Sequence, residues 1–208
     1  MLAHRLRRVR QVPKTLAYVA GATSSGSTIT IPATAQAGDL AVLYDLARGL
    51  FTPPTPATPS NWTTISGLTA STSAGVLSYK ILVAGDPGAT VTGMNGSISN
   101  AKSLAVFRAT PSLATVTVLE SAEQSTSGNP TAQAKTAQSN YPYLVYGVCG
   151  GASALPSWIA GYAPGATEYI GWQRYGWTFF NDSAASLSLD CNDSGTGTLL
   201  QTCILMVA

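Results

Sequence analysis

Apolar residues in this chain come in short runs, never at sustained helical spacing. The most continuous run is Leu40-Ala41-Val42-Leu43-Tyr44, opened by the turn dipeptide Gly38-Asp39 and followed by Asp45-Leu46-Ala47. A run that short, bounded by a turn, predicts a strand buried on both faces. Residues 140–149, NYPYLVYGVC, repeat the form, with polar and proline punctuation before another continuous apolar run. Later landmarks repeat in register. Pro59-Ser60-Asn61-Trp62 follows the first run and Pro156-Ser157-Trp158 the second. Residues 76–84 pair loosely with 177–191, and residues 104–108 with 203–207. The pattern predicts two topologically similar halves laid into one sandwich, with residues 40–44, residues 144–148, Val106 and Ile204 in one core.

The remaining chain supplies further strands at residues 14–19, 28–31, 61–65, 76–84, 89–94, 103–109, 116–120, 175–180, 186–191 and 199–207. Pro32 stops the second of these. Gly85-Asp86-Pro87-Gly88 and Asn95-Gly96 are turn signals. The proline-dense stretch 52–59 reads as a stiff polyproline-like connector. Residues 69–75, small and polar, read as a loop tip, and residues 158–174 as irregular and aromatic. Turns recurring every eight to twelve residues or so favour an all-β antiparallel sandwich or barrel. Two similar halves favour its jelly-roll form. The expected organisation is a basic N-terminal arm, residues 1–13, and a single β-sandwich domain, residues 14–208.

Charge changes the picture. Only 10% of the 208 residues are charged, against about 25% in an average globular protein. Hydroxyls and methyls in place of surface charge suit a subunit packed among other chains better than a free monomer; a Thr-rich secreted β-protein is the alternative. The net charge of +2 is uneven: Arg5, Arg7, Arg8, Arg10 and Lys14 crowd the N-terminus, leaving six basic and nine acidic residues elsewhere. Such an arm is expected to dock on something acidic. It has no aromatic residue to stack on bases, so an acidic protein groove suits it better than nucleic acid. No run reaches the roughly 18 apolar residues of a membrane-spanning helix. Residues 5–22 have the outline of a secretory leader, but the apolar part is short and interrupted by Tyr18 and Gly21.

Candidate chemistry is sparse. His4, in the arm, is the only histidine, which removes Ser-His-Asp and Cys-His arrangements and histidine metal sites from the body. Asp182, Asp190 and Asp193 are the nearest approach to paired carboxylates, and residues 190–193 offer too few oxygens for calcium. No phosphate-binding glycine loop is present. No cofactor, no metal and no catalytic residue is expected. Cys149, Cys191 and Cys203 lie in or beside apolar runs and read as buried small residues, with Cys191–Cys203 pairing across a hairpin as the alternative. Tyr169, Trp172, Tyr175 and Trp177 form the one concentrated aromatic cluster. Core packing, a subunit interface and stacking on a glycan are each compatible with it.

Several stretches together carry a family resemblance. They are Ala37-Gly38-Asp39-Leu40-Ala41-Val42, Pro59-Ser60-Asn61-Trp62-Thr63, Ser78-Tyr79-Lys80-Ile81-Leu82, and Gly93-Met94-Asn95-Gly96 before Leu104-Ala105-Val106-Phe107-Arg108. Over residues 28–109 the chain resembles small tailed-bacteriophage virion proteins, the β-sandwich modules of tail fibres, collar fibres and head decorations. The resemblance implies a non-enzymatic structural role in the virion and a symmetric oligomer, a trimer by expectation, joined to other virion proteins through the arm. A carbohydrate- or receptor-binding module, with a host-surface glycan as partner, is the alternative. The matching stretches mark a scaffold, so no functional residue is carried over from the family.

Overall fold

The computed structural model describes residues 15–48, 56–69, 73–94, 99–124, 131–136, 143–150, 157–158, 166–170, 173–180, 186–192 and 199–207. All regular structure there is strand, and every pairing is antiparallel. The first half contributes β1 (Thr15–Ser24), β2 (Ile29–Thr30), β3 (Leu40–Arg48), β4 (Thr63–Thr69), β5 (Ser73–Ile81), β6 (Thr90–Val91) and β7 (Ser99–Thr110). The second contributes β8 (Val116–Gln124), β9 (Thr131–Thr136), β10 (Tyr143–Gly150), β11 (Ser157–Trp158), β12 (Ala166–Ile170), β13 (Gln173–Phe180), β14 (Ser186–Asn192) and β15 (Leu199–Val207).

Each half builds its own five-stranded sheet, and the two sheets share one strand order. The first reads β1-β7-β3-β5-β4 and the second, from the matching edge, β8-β15-β10-β13-β12. The leftover strands correspond as well: β2 pairs with β6, and β9 with β14, while β11 extends the second ribbon. Even the irregularities match. Val19 is bulged out of β1 opposite Phe107 and Val106, and Leu119 out of β8 opposite Leu205 and Ile204. Aligning the bulges places the cross-sheet row Tyr18, Phe107, Leu40 and Ile81 on the row Val118, Leu205, Leu144 and Phe179.

Side chains of both sheets meet in one cluster. Leu40, Val42, Tyr44, Leu46, Leu77 and Phe107 come from the first sheet, and Leu144, Tyr146, Val148, Trp177, Leu205 and Val207 from the second. β5 lies against β15 and β7 against β13. Exchanging the halves converts one contact into the other, the relation found across an isologous dimer interface. A second cluster occupies the opposite face of the first sheet. There Ala41, Leu43, Leu104 and Val106 pack beneath Ile29, Ile31 and Val91 at the β2–β6 ribbon. With apolar partners on both faces, β3 needs no polar alternation, hence the unbroken run at residues 40–44.

Several expectations are corrected. Val106, with Ala41 and Leu43, belongs to the second cluster, not the one shared by the halves. The side chain of Ile204 lies outside the described residues. Pairing residues 104–108 with 203–207 is one residue out of step: Leu104 faces the second cluster and Cys203 the shared one, so Ala105 is the counterpart of Cys203. Ser73, Ala74 and Gly75 are not a loop tip but the start of β5, with Ser73 and Ala74 fully buried. The aromatic stretch 158–174 contains β12, and residues 89–94 contribute only the two-residue β6. Val83 lies beyond β5 and is 59% exposed.

Candidate functional site

The described surface is indented where the turn at residues 85–88 meets the one at 59–62. Asp86 organises the first. Its Oδ1 accepts from Lys80 Nζ at 2.7 Å and its Oδ2 from the Val83 amide at 2.7 Å. Its own amide donates to the Val83 carbonyl, so side chain and backbone close the same loop, as Asp does in turns. Gly88 takes the left-handed conformation, φ 77°, and its amide donates to the Ile31 carbonyl. In the second turn the Trp62 amide donates to the Pro59 carbonyl at 3.2 Å, and Asn61 takes φ 65°. Asn tolerates that region better than most residues. The turn returns the Trp62 ring to the sheet, where it packs on the second cluster.

Two depressions flank Lys80. One, about 130 Å³, is lined by Ser60, Trp62, Lys80, Asp86, Thr90 and Thr92 among others. The other, an open cleft of about 540 Å³, is lined by Asn61, Thr63, Tyr79, Lys80, Val83 and Val116. Val116 comes from the second half, and the Tyr79 hydroxyl donates to its carbonyl at 3.4 Å, so the cleft runs along the seam between halves. Aromatic rings, hydroxyls and an amide around an internally neutralised ion pair suit an uncharged polar ligand. The one carboxylate in these linings, Asp86, has both oxygens engaged.

The charged residues of the first half are mostly paired with one another. Between residues 15 and 110 there are seven: Asp39, Asp45, Arg48, Lys80, Asp86, Lys102 and Arg108. Six form three ion pairs. Arg108 grips Asp39 with two bonds, Nε to Oδ1 at 2.9 Å and Nη2 to Oδ2 at 2.8 Å, and Nη2 also donates to the Thr34 carbonyl. That carboxylate holds the guanidinium above its ordinary value. Asp39 Oδ2 accepts from the Gln36 amide as well, which fixes the turn leading into β3. Lys102 and Asp45 lie directly opposite on β7 and β3, and both are buried.

Arg5, Arg7, Arg8, Arg10, Lys14 and Trp172 lie outside the described residues. Tyr169 is on β12, opposite Arg174, and Tyr175 is on β13, opposite Val148. Trp177 is 3% exposed, and its ring serves the core. It stacks on Tyr18 at 4.3 Å and meets the edge of Phe107 at 5.5 Å, bridging the two halves. The interface and glycan-facing roles considered for Trp177 are therefore closed to its ring in the folded chain. Cys203 is a free thiol in the shared cluster; its strand and that of Cys191 belong to different sheets, so no hairpin joins them. Burial pushes the Cys203 thiol far above its usual range. The seam cleft was not visible in the sequence. Its lining comes from three separated segments, around residues 61–63, 79–83 and 116, and its only local signal was the turn at residues 59–62. No family model, no curated protein and no solved structure matches the chain.

Proposed function

We propose that the protein is a non-enzymatic structural component of a phage virion, a head-decoration, collar or tail-fibre subunit. In this reading a jelly-roll-like β-sandwich is displayed and the basic arm, residues 1–13, attaches it to other virion proteins within a symmetric oligomer. What carries the reading is the consumption of charge in the first half. Six of its seven charged residues neutralise one another, which leaves a surface of hydroxyls and methyls. Free monomers rely on mixed surface charge for solubility, whereas a subunit with neighbours on several sides has less need of it. The arm contributes four arginines, with Lys14 just beyond it, and arginine is suited to bidentate contact with carboxylates on an acidic partner. Deleting residues 2–13 tests this. The truncated protein should fold, by unchanged circular dichroism and melting, yet fail to enter particles or oligomers. Normal incorporation would refute the attachment role.

A carbohydrate- or receptor-binding module is the second reading, favoured by the seam cleft with its aromatic, hydroxyl and amide lining. Screening the intact protein against host-surface glycans, with Tyr79→Ala as control, separates the readings. Binding that the substitution abolishes would establish it; absence of binding leaves the structural role alone.

A further inference from the structure

Lys102 and Asp45 are placed for chemistry beyond the charge neutralisation counted above. A fully buried lysine is rare in folded proteins. This one has no exposed side-chain surface, and its Asp45 partner is 3% exposed. They are directly opposed on adjacent strands near the middle of the first sheet, with Nζ 3.1 Å from Oδ1. Apolar side chains adjoin them: Leu43 and Leu104 form the next pair along the same face, and buried Val76 lies across from Asp45 on β5. Holding two full charges there is expensive in desolvation. Fixed geometry at this separation is also what turns a slow bimolecular reaction into a fast intramolecular one.

We propose that Lys102 and Asp45 are an intramolecular cross-link site, at which the two side chains condense to an amide. The step balances without a co-reactant. The Lys102 ammonium passes one proton to the Asp45 carboxylate, and the resulting amine attacks Cγ. The tetrahedral adduct then gives a second nitrogen proton to one of its oxygens, which leaves as water. A new Nζ–Cγ bond replaces one Cγ–O bond, both charges disappear, and the water departs from a site that excludes it. The product bolts the central strand β3 to its inner neighbour β7 in the first sheet. The link is independent of the virion reading and does not stand or fall with it.

Mass spectrometry decides. The full chain, measured denatured and with its initiator methionine accounted for, should be lighter than its sequence by one water. Tryptic digestion should give one branched peptide joining residues 15–48 to residues 81–108, uncleaved after Lys102. Lys102→Met, which folds or not without affecting its mass, should match its own sequence. A wild-type mass equal to the sequence, normal cleavage after Lys102, or a water loss mapped to any other residue would each overturn the proposal and leave the pair as an ion pair.

Discussion

Replacing Gly75 with alanine should destabilise the protein by about 2 kcal/mol, the balance of overpacking (roughly 1–3 kcal/mol) against the gain from removing a strand glycine (roughly 0.5–1 kcal/mol). Gly75 lies in β5 on the face that meets the second sheet. A Cβ there would overlap the Tyr44 hydroxyl and stand 2.7 Å from Tyr44 Cζ and 2.9 Å from Gln201 Oε1. Neither neighbour can retreat easily. Tyr44 is fully buried, and Gln201 is anchored by its Nε2 bond to Ser66 Oγ at 2.8 Å. The balance therefore lies toward the upper end of the overpacking cost. In a chain of this size about 2 kcal/mol corresponds to a melting temperature lower by roughly 4–8 °C. Urea denaturation should show the midpoint falling with an unchanged slope. Tyr44→Phe removes the nearest clashing atom and leaves Cζ, so relief is partial. A double-mutant cycle should give a favourable coupling of about 1 kcal/mol. A Gly75→Ala protein within about 0.5 kcal/mol of wild type, the usual range for a surface substitution, would refute the reasoning. So would an equal cost of Gly75→Ala in the wild-type and Tyr44→Phe backgrounds.

Other consequences are as direct. Trp177→Ala should cost about 3–5 kcal/mol by chemical denaturation, because it empties a large core site and breaks the stack with Tyr18. Arg108→Lys keeps the charge and loses the two-pronged grip on Asp39, so it should lower stability by about 1 kcal/mol, and Arg108→Ala by more. Cys203, with its thiol pushed upward by burial, stays protonated through mildly alkaline pH; alkylation followed by peptide mapping should find it unmodified in the native protein and modified after unfolding.

How far the sequence could be read depended on which force shaped each element. β3 was legible because a strand covered on both faces shows as an unbroken apolar run, and β10 was legible from the same kind of run. The long final strand β15 was legible for its apolar content as well. The start of β5 was not: Gly75 is small because Tyr44 and Gln201 of the second sheet crowd it, Ser73 and Ala74 beside it are small and buried, and small polar residues look the same in a loop. β9 and β12 are polar or mixed in sequence, and pairing places them rather than hydrophobic period. The duplication was legible, but its register was not, because a one-residue slip exchanges the two faces. The ion pairs were beyond sequence reasoning altogether. Asp39 and Arg108 are far apart in the chain and meet only through the β3–β7 ladder.

The matched strand orders have one more consequence. In a dimer of identical chains every substitution appears on both sides of the axis, so the assembly cannot tell its ends apart. Here both sides are encoded separately, and they have diverged. Residues 15–110 hold four basic and three acidic residues, a net +1, and residues 111–208 hold two basic and six acidic, a net −4. The backbone keeps the two-fold plan while the charge does not. The molecule therefore has a direction, as an arrow has and a rod has not, and an electrostatic partner that selects the acidic half meets it in one orientation.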